Sequence, residues 1–430
     1  MAIVTPDGYR ALGEGDVAAW LEGLPGLRRR LGGAAGDWRV IEVGDGNLNL
    51  VFIVEGPMGS LCVKQALPYV RLVGEGWPLP LERAFFEHRA TEVQARHAQA
   101  QMPEMYHYDP SLFLMVMERL HPHVIMRRGM IQGVVYPRFA EHAAEFMART
   151  LFFTSDLALK AGEKRRLMAT FCANIELCRI TEDLIFTEPY MVAANNRWTS
   201  PQLDGVAAAI RGDAELKRAV SRLKVKFLCE AQALVHGDLH TGSIMVTEGD
   251  TRMIDPEFAY FGPIGFDVGK LIGNLLMNYF SQDGHAKQAG TSREDYQGWV
   301  LDTAEQVWTG FHDRFLALWN EHHTGDAYPD PLFEGQPESL KQAQAAYMRA
   351  LFEDSLGFAG AAMIRRTLGL AHNIDFEWIE DPDVRALCER RNLTLARELM
   401  VNAGRYGGIG EVTAAARRVR GRAAGKLLGA

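Results

Sequence analysis

Cysteine is scarce in this chain: five in 430 residues, at Cys62, Cys172, Cys178, Cys229 and Cys388, odd in number, scattered, and without a Cys-x-x-Cys pair. That excludes a disulfide framework and a structural zinc site, and the five read as buried thiols in a reducing cytosol. Basic residues are not in excess either. Forty-six Lys and Arg stand against 54 Asp and Glu, a net charge of -8 with a pI near 5.9. This argues against nucleic acid or an anionic membrane as the main partner and favours a small-molecule substrate. No apolar run approaches membrane length, and Met1 to Gly8 hold no basic region followed by an apolar core, so nothing targets or anchors the chain and a cytoplasmic protein is expected. There is no repeat period and no low-complexity segment. What remains, 47% hydrophobic and 23% charged residues, is the make-up of an ordinary globular protein long enough for two cores.

The chemistry concentrates between Leu234 and Pro263. Asp238 lies before a predicted hairpin, and Asp255 and Glu257 lie after it. The arms are Ile244 to Val246 and Met253 to Ile254, joined through Glu248, Gly249 and Asp250. The hairpin would bring three carboxylates into one small volume. Such a cluster repels itself unless cations occupy it, so the simplest reading is a divalent-metal site with one carboxylate left to act on a substrate hydroxyl.

Upstream, the first forty residues read as helical with a break at Pro25-Gly26, and Arg28 to Arg30 as a solvated helix end. Strands follow at Trp38 to Val43, Leu50 to Val54 and Leu61 to Gln65, an antiparallel meander with glycine-rich turns. Glycines in the first turn would let backbone amides approach a phosphate, though many hairpins use glycine only for positive φ. Pro80 opens a helix that places Phe86, Ala90 and Val93 on one face and Glu87 beside it, either paired with Lys64 or solvated. Met105 to Tyr108 and Leu112 to Met117 complete five strands before Glu118 to Pro122 breaks the pattern. The boundary is placed there, with residues 1–117 before it, 118–122 as linker and 123–430 after it. Backbone groups of such a linker are well placed to meet the edge of an adenine. Helical periodicity dominates the rest. Gly262 to Phe280 reads as an apolar core helix, with Asp267 as an N-terminal cap or as a hold on the loop at Asp238.

The order glycine-rich hairpin, Lys64, helix glutamate, linker, His236-Gly237-Asp238-Leu239-His240 and a second acidic motif resembles the protein-kinase-like fold in its aminoglycoside-phosphotransferase branch. In wording, Val43 to Asn49, Lys64 to Tyr69, Trp77 to Leu79, His236 to Ser243, Asp255 to Phe258 and Met363 to Arg366 resemble the 5-methylthioribose kinases. The resemblance implies an α+β, two-lobed fold: an N-lobe with an antiparallel five-stranded sheet and one main helix, and a larger, mostly α-helical C-lobe. It also implies ATP and Mg²⁺ as cofactors, 5-methylthioribose as acceptor, phosphorylation of its 1-hydroxyl in methionine salvage, and a homodimer.

By the same resemblance, Asp238 takes or orients the acceptor hydroxyl, and Asp255 and Glu257 bind the metal as alternate residues of an extended segment. Ser243 replaces the usual metal-binding Asn and makes a second-shell contact. Lys64, fixed by Glu87, meets the phosphates. Gly44, Gly46, Asn47 and Asn49 form the phosphate loop, with Asn47 or Asn49 capping by side chain. Met117, Glu118 and Leu120 line the adenine, and Arg365 and Arg366 meet sugar hydroxyls and the transferring phosphoryl. Trp77, with Phe258 and Trp378, is a candidate wall for the methylthio end or a loop-packing aromatic.

Three alternatives stand beside this reading. One is a kinase of the same fold for an aminoglycoside, choline or homoserine. Another is a metal-dependent hydrolase using His236, Asp238 and His240 as ligands. The last is a non-catalytic ATP-binding scaffold. Arg417 to Lys426 reads as a solvated basic tail.

Overall fold

A computed structural model describes residues 5–44, 48–71 and 74–429, without the Glu75 side chain. Two short helices, α1 (Glu14–Glu22) and α2 (Pro25–Leu31), lead in, and Pro25 starts α2 where a missing N–H costs nothing. Strands β1 (Arg39–Glu42), β2 (Asn49–Glu55) and β3 (Ser60–Ala66) form the antiparallel meander. A two-stranded hairpin that the sequence did not announce follows, β4 (Tyr69–Val70) with β5 (Gly74–Pro78). Then come α3 (Arg83–Ala98), β6 (Met105–Asp109) and β7 (Leu114–Glu118), and the main sheet is five-stranded in the order β1-β2-β3-β7-β6.

The apolar alternation of β2, β3 and β7 buries Phe52, Val54, Val63, Leu114 and Val116 on one face, covered by Val17, Leu21, Leu27 and Leu31 of α1 and α2. Phe86, Ala90 and Val93 of α3 face elsewhere. They pack on Phe171, Leu234 and Phe261, residues of the helical body, so α3 joins the sheet to the rest of the molecule.

Beyond β7 lie β8 (Val124–Ile125), α4 (Met126–Gln132), α5 (Phe139–Phe153), α6 (Ala161–Phe171), α7 (Ile175–Phe186), α8 (Asp204–Gly212) and α9 (Ala214–Cys229). The start of α9 is set by Asp213, whose side chain accepts from Leu216 N. Strand β9 (Ala233–Val235) enters the acidic stretch, β10 (Ile244–Val246) and β11 (Thr251–Met253) form the expected hairpin, and β12 (Tyr260–Gly262) pairs back with β9. The chain closes with α10 (Ile264–Ala289), α11 (Glu294–His322), α12 (Pro337–Leu368), α13 (Ile374–Glu377), α14 (Pro382–Asn402) and α15 (Ile409–Arg420). Among the described residues, no helix is long and apolar enough to cross a membrane.

Helix α10 is the axis of the second core. It ends where Gly290 turns left-handed at φ 65°. Its apolar positions, among them Phe266, Leu271, Leu275, Met277 and Phe280, are fully enclosed. Running through them is a buried polar row: Asp267, Lys270, Asn274, Asn278, Gln282 and His285. On the side facing α12 the backbones nearly touch. A Cβ on Gly269 would collide with the Ser355 carbonyl oxygen, and one on Gly273 would lie 2.9 Å from that of Ala359.

Two surface expectations are corrected. Only Cys388 is buried; Cys172 and Cys229 are exposed. The basic tail is not simply solvated: α15 buries Ile409, Val412, Ala416 and Val419, and Arg420 pairs with Asp283 at 2.9 Å.

Candidate active site

The loop after β9 is shaped by what holds its backbone. Gly237 takes φ +81°, and a Cβ there would strike the Phe258 carbonyl, so the loop lies directly on the turn that follows β11. Asp267 of α10 accepts from His236 N at 2.6 Å and Gly237 N at 3.0 Å, the loop-holding role read from the sequence. Ser243 closes the far end. Its hydroxyl donates to the Asp238 carbonyl at 2.7 Å and accepts from His240 N at 3.0 Å.

The two loop histidines have assigned protons. Gly242 N and Ser243 N donate to His240 Nδ1 at 2.9 and 3.1 Å, so the proton sits on Nε2, which donates to Asp238 Oδ2 at 3.3 Å. His236 Nδ1 accepts from Asp238 N at 3.3 Å, and its Nε2–H donates to the Ile254 carbonyl at 2.9 Å. Burial keeps both rings neutral, His240 down to about 3. These partners correct the reading of His236, Asp238 and His240 as metal ligands, because the ring nitrogens are already spent on the loop.

Asp238 sits among cations. Lys270 of α10 contacts its Oδ1, and Arg366 NH2 lies 3.9 Å from the same oxygen. Burial alone would raise the Asp238 carboxyl, but Lys270, with His240 and Arg366, holds it well below the usual carboxylate range. Arg127 of α4 flanks the loop, donating to Thr241 Oγ1 at 3.1 Å and Asn274 Oδ1 at 2.9 Å, with Asp375 Oδ2 at 3.5 Å. Arg365 and Arg366 occupy the last turn of α12, and Arg366 donates to the Ala371 carbonyl at 3.1 Å. Arg365 Nε is buried with no acceptor among the described residues. Burial and the neighbouring Arg366 lower its pKa to about 9. Sequence reasoning missed Lys270 and Arg127; the available signal was a single lysine inside an apolar helical run.

On β3, Lys64 Nζ lies 2.8 Å from Glu87 Oε1 and 2.6 Å from Asp255 Oδ1, the expected Lys–Glu pair. Burial favours the neutral amine, but Asp255 and Glu87 outweigh it and keep Lys64 charged. Asp255 and Glu257 are not on an extended segment. Asp255 is left-handed at φ 64°, and Pro256 starts a 3₁₀ turn, so the two carboxylates do not follow the alternation of a strand. Asp255 meets Lys64, whereas Glu257 is buried with Oε2 3.3 Å from Arg83 Nε and 3.4 Å from Asn49 Nδ2. Asn49 Oδ1 also accepts from Arg83 at 2.8 Å, so its side chain serves this network rather than capping a phosphate.

One metal expectation changes accordingly. Among the described residues no three His, Cys, Asp or Glu side chains converge as a metal-holding group, because Lys270, Lys64 and Arg83 each hold one of the three carboxylates. The buried Ser243 hydroxyl is turned into its own loop, donating to the Asp238 carbonyl and accepting from His240 N. Gly44 is described, while Gly46 and Asn47 lie outside the described residues. Met117 and Glu118 end β7 and Leu120 follows; the Glu118 carboxylate accepts from Glu104 N and Arg252 NH1, both at 3.1 Å. Trp77 lies on the separate β4–β5 hairpin, and Trp378 is 43% exposed after α13.

A model of the phosphotransferase enzyme family matches residues 39–307. Methylthioribose kinase 1 of Oryza sativa subsp. japonica is 49% identical over 94% of this chain and 94% of its own length. Methylthioribose kinase 2 of the same plant is 48% identical over 94% and 95%, and the methylthioribose kinase of Escherichia coli O45:K1 is 46% identical over 93% and 96%. Similarity of this degree, along nearly the whole of both partners in each pair, shows that the chain belongs to the methylthioribose kinases within the phosphotransferase enzyme family.

Proposed function

We propose that this protein transfers the γ-phosphoryl group of ATP to the 1-hydroxyl of 5-methylthioribose, giving ADP and 5-methylthioribose 1-phosphate for methionine salvage. The observation that carries the reading is Asp238, an ionised carboxylate held at both oxygens in a basic pocket, in a chain whose relatives bear that kinase name. Asp238 orients the acceptor hydroxyl and takes its proton as the oxygen bonds to phosphorus and ADP leaves. Positioning of this kind is typically worth about 10² to 10⁴ in rate. Arg365, whose buried Nε has no acceptor among the described residues, meets the transferring phosphoryl, and Arg366 meets the sugar hydroxyls and that same group.

Lys64 takes the α- and β-phosphates, with Glu87 fixing it. Residues 118–122 are the linker between an N-terminal lobe, 1–117, and a C-terminal lobe, 123–430. Its backbone, with Met117, Glu118 and Leu120, receives the adenine, while Gly44 to Asn47 cover the phosphates. Trp77 contributes to the wall around the methylthio end. Mg²⁺ fits at Asp255, whose side chain is 45% exposed with Oδ1 on Lys64, a hard carboxylate donor for a hard cation. Glu257 stands behind it on Arg83. The ion neutralises phosphate charge. A homodimer rests on the family resemblance alone, and a cytoplasmic location on the cysteines, all five of them free thiols.

Cationic acceptors are disfavoured, because Lys270, Arg366, Arg365 and Arg127 already surround the one catalytic carboxylate. The test is to incubate the purified protein with ATP, Mg²⁺ and a panel of methylthioribose, choline, homoserine and aminoglycosides while following ADP. Absence of turnover with methylthioribose sinks the acceptor assignment. Full activity in Asp238→Asn sinks the role given to Asp238.

A further inference from the structure

One helical turn of α10 grips the catalytic loop from two sides. Asp267 takes the N–H groups of His236 and Gly237, and three residues on, Lys270 donates to the Gly237 carbonyl at 3.2 Å and contacts Asp238 Oδ1. Residues three apart on a helix share a face, so a carboxylate and an ammonium lie side by side against one tripeptide. The Lys270 side chain is 6% exposed, and its Nζ lies 5.1 Å from the centre of the Phe266 ring. A buried lysine in an apolar helix is expensive, and replacing a buried ion pair with apolar residues is often neutral or stabilising. Folding therefore gives little reason for this pair, which points to the reaction.

We propose that Lys270 is a positioning residue for phosphoryl transfer: its ammonium locks Asp238 Oδ1 so that the carboxylate meets the acceptor hydroxyl ionised and in one fixed orientation. The inference rests on the kinase function proposed above. His240 Nε2–H holds Oδ2 from the other end, so the carboxylate cannot rotate and the acceptor hydroxyl finds a lone pair already aimed. The groups facing Asp238 come from three elements and its own loop: Lys270 from α10, Arg365 and Arg366 from α12, Arg127 from α4, and His236 and His240 from the loop. Arg365 Nε has no acceptor among the described residues, and Arg127 is committed to Thr241 and Asn274. Lys270 is the cation in contact with the carboxylate itself. A carboxylate so held is a weak base, which suits a loose phosphoryl-transfer transition state that asks little proton removal and much alignment.

The test measures kcat, and KM for methylthioribose and for ATP, from pH 4 to pH 9 in the full-length wild type, Lys270→Gln and Lys270→Arg. The neutral variant is expected to lose at least about tenfold in kcat while its KM for ATP stays within about threefold. An acid limb, absent from the wild type above pH 4, should also enter the measured range. Lys270→Arg keeps the charge and is expected to keep the wild-type limb and recover part of kcat. A Lys270→Gln enzyme within about threefold of wild-type kcat and with an unmoved limb overturns the proposal, as does an arginine variant that matches the glutamine one. If Lys270→Gln fails to bind ADP, the arginine variant decides: a wild-type limb supports the proposal and a displaced one overturns it. The wild type run alongside keeps the two readings apart. No methylthioribose turnover there counts against the acceptor, and Lys270 is then read on whichever acceptor of the panel is turned over.

Discussion

Arg83, with no exposed surface, places its Nε 3.3 Å from Glu257 Oε2. Its other nitrogens donate to the carbonyls of Leu67 at 2.6 Å, Pro80 at 2.9 Å and Leu48 at 2.7 Å, and to Asn49 Oδ1 at 2.8 Å. The first turn of α3 is thereby tied to the entry of β2 and to the turn that carries Asp255. Arg83→Met removes the partner of a buried carboxylate, and breaking such a pair costs about 3–5 kcal/mol. Urea denaturation of the variant should show a loss of this size, with Glu257→Gln in the same background restoring part of it.

Asp267 predicts a different signature. Asp267→Asn keeps one acceptor but turns an NH₂ toward a backbone N–H, leaving one loop donor unsatisfied. Nucleotide binding, assigned by the proposed function to Lys64 and its surroundings, should be nearly unchanged by calorimetry, while kcat falls by roughly 10² because Asp238 is no longer aligned.

Arg365 illustrates function held against stability. Its guanidinium remains charged, so the lowering that burial and Arg366 impose registers as an energetic cost of holding it there. Arg365→Met should raise the melting temperature, on the order of 1–2 kcal/mol of added stability, while abolishing most activity. ADP with inorganic phosphate should stabilise the wild type more than this variant in a thermal shift.

Glu389 of α14 gives a pH dependence. It is 2% exposed, and burial raises its carboxyl to about 7. A carboxyl raised on folding binds its proton more tightly in the native state, so its contribution to stability falls as pH rises from the ordinary carboxylate value toward 7 and stays lost above. Glu389→Gln should be more stable than wild type by on the order of 2 kcal/mol at pH 8, with the difference vanishing near pH 5, as read by denaturation at each pH.

Local pattern made the β1–β3 meander, the β10–β11 hairpin and the buried face of α3 legible, because each depends on residues close in sequence or on a common period, whereas the Lys64–Glu87 pair, 23 positions apart, was legible only through the family resemblance. Two errors came from reading past a local sign. Pro256 announces a turn, yet Asp255 and Glu257 were placed on an extended segment. Lys270 is a lone basic residue between Ile264 and Phe280, and its partner Asp238 is 32 positions away. Arg83 was indistinguishable from its charged neighbours, since the carbonyls that bury it come from the strand entry and the loops before α3. The β4–β5 hairpin is too short, at two and five residues, to show alternation.

The close seam between α10 and α12 bears on how this pocket is sized. Arg365 and Arg366 ride on α12, Lys270 and Asp267 on α10, and the spacing between those helices is fixed by Gly269 lying against the Ser355 carbonyl. A single methyl group at Gly269 would wedge the two rods apart and draw both arginines away from Asp238. With the two arginines in the role proposed above, acceptor fit depends partly on Gly269, a residue that has no side chain, and a survey confined to side chains around Asp238 would overlook it.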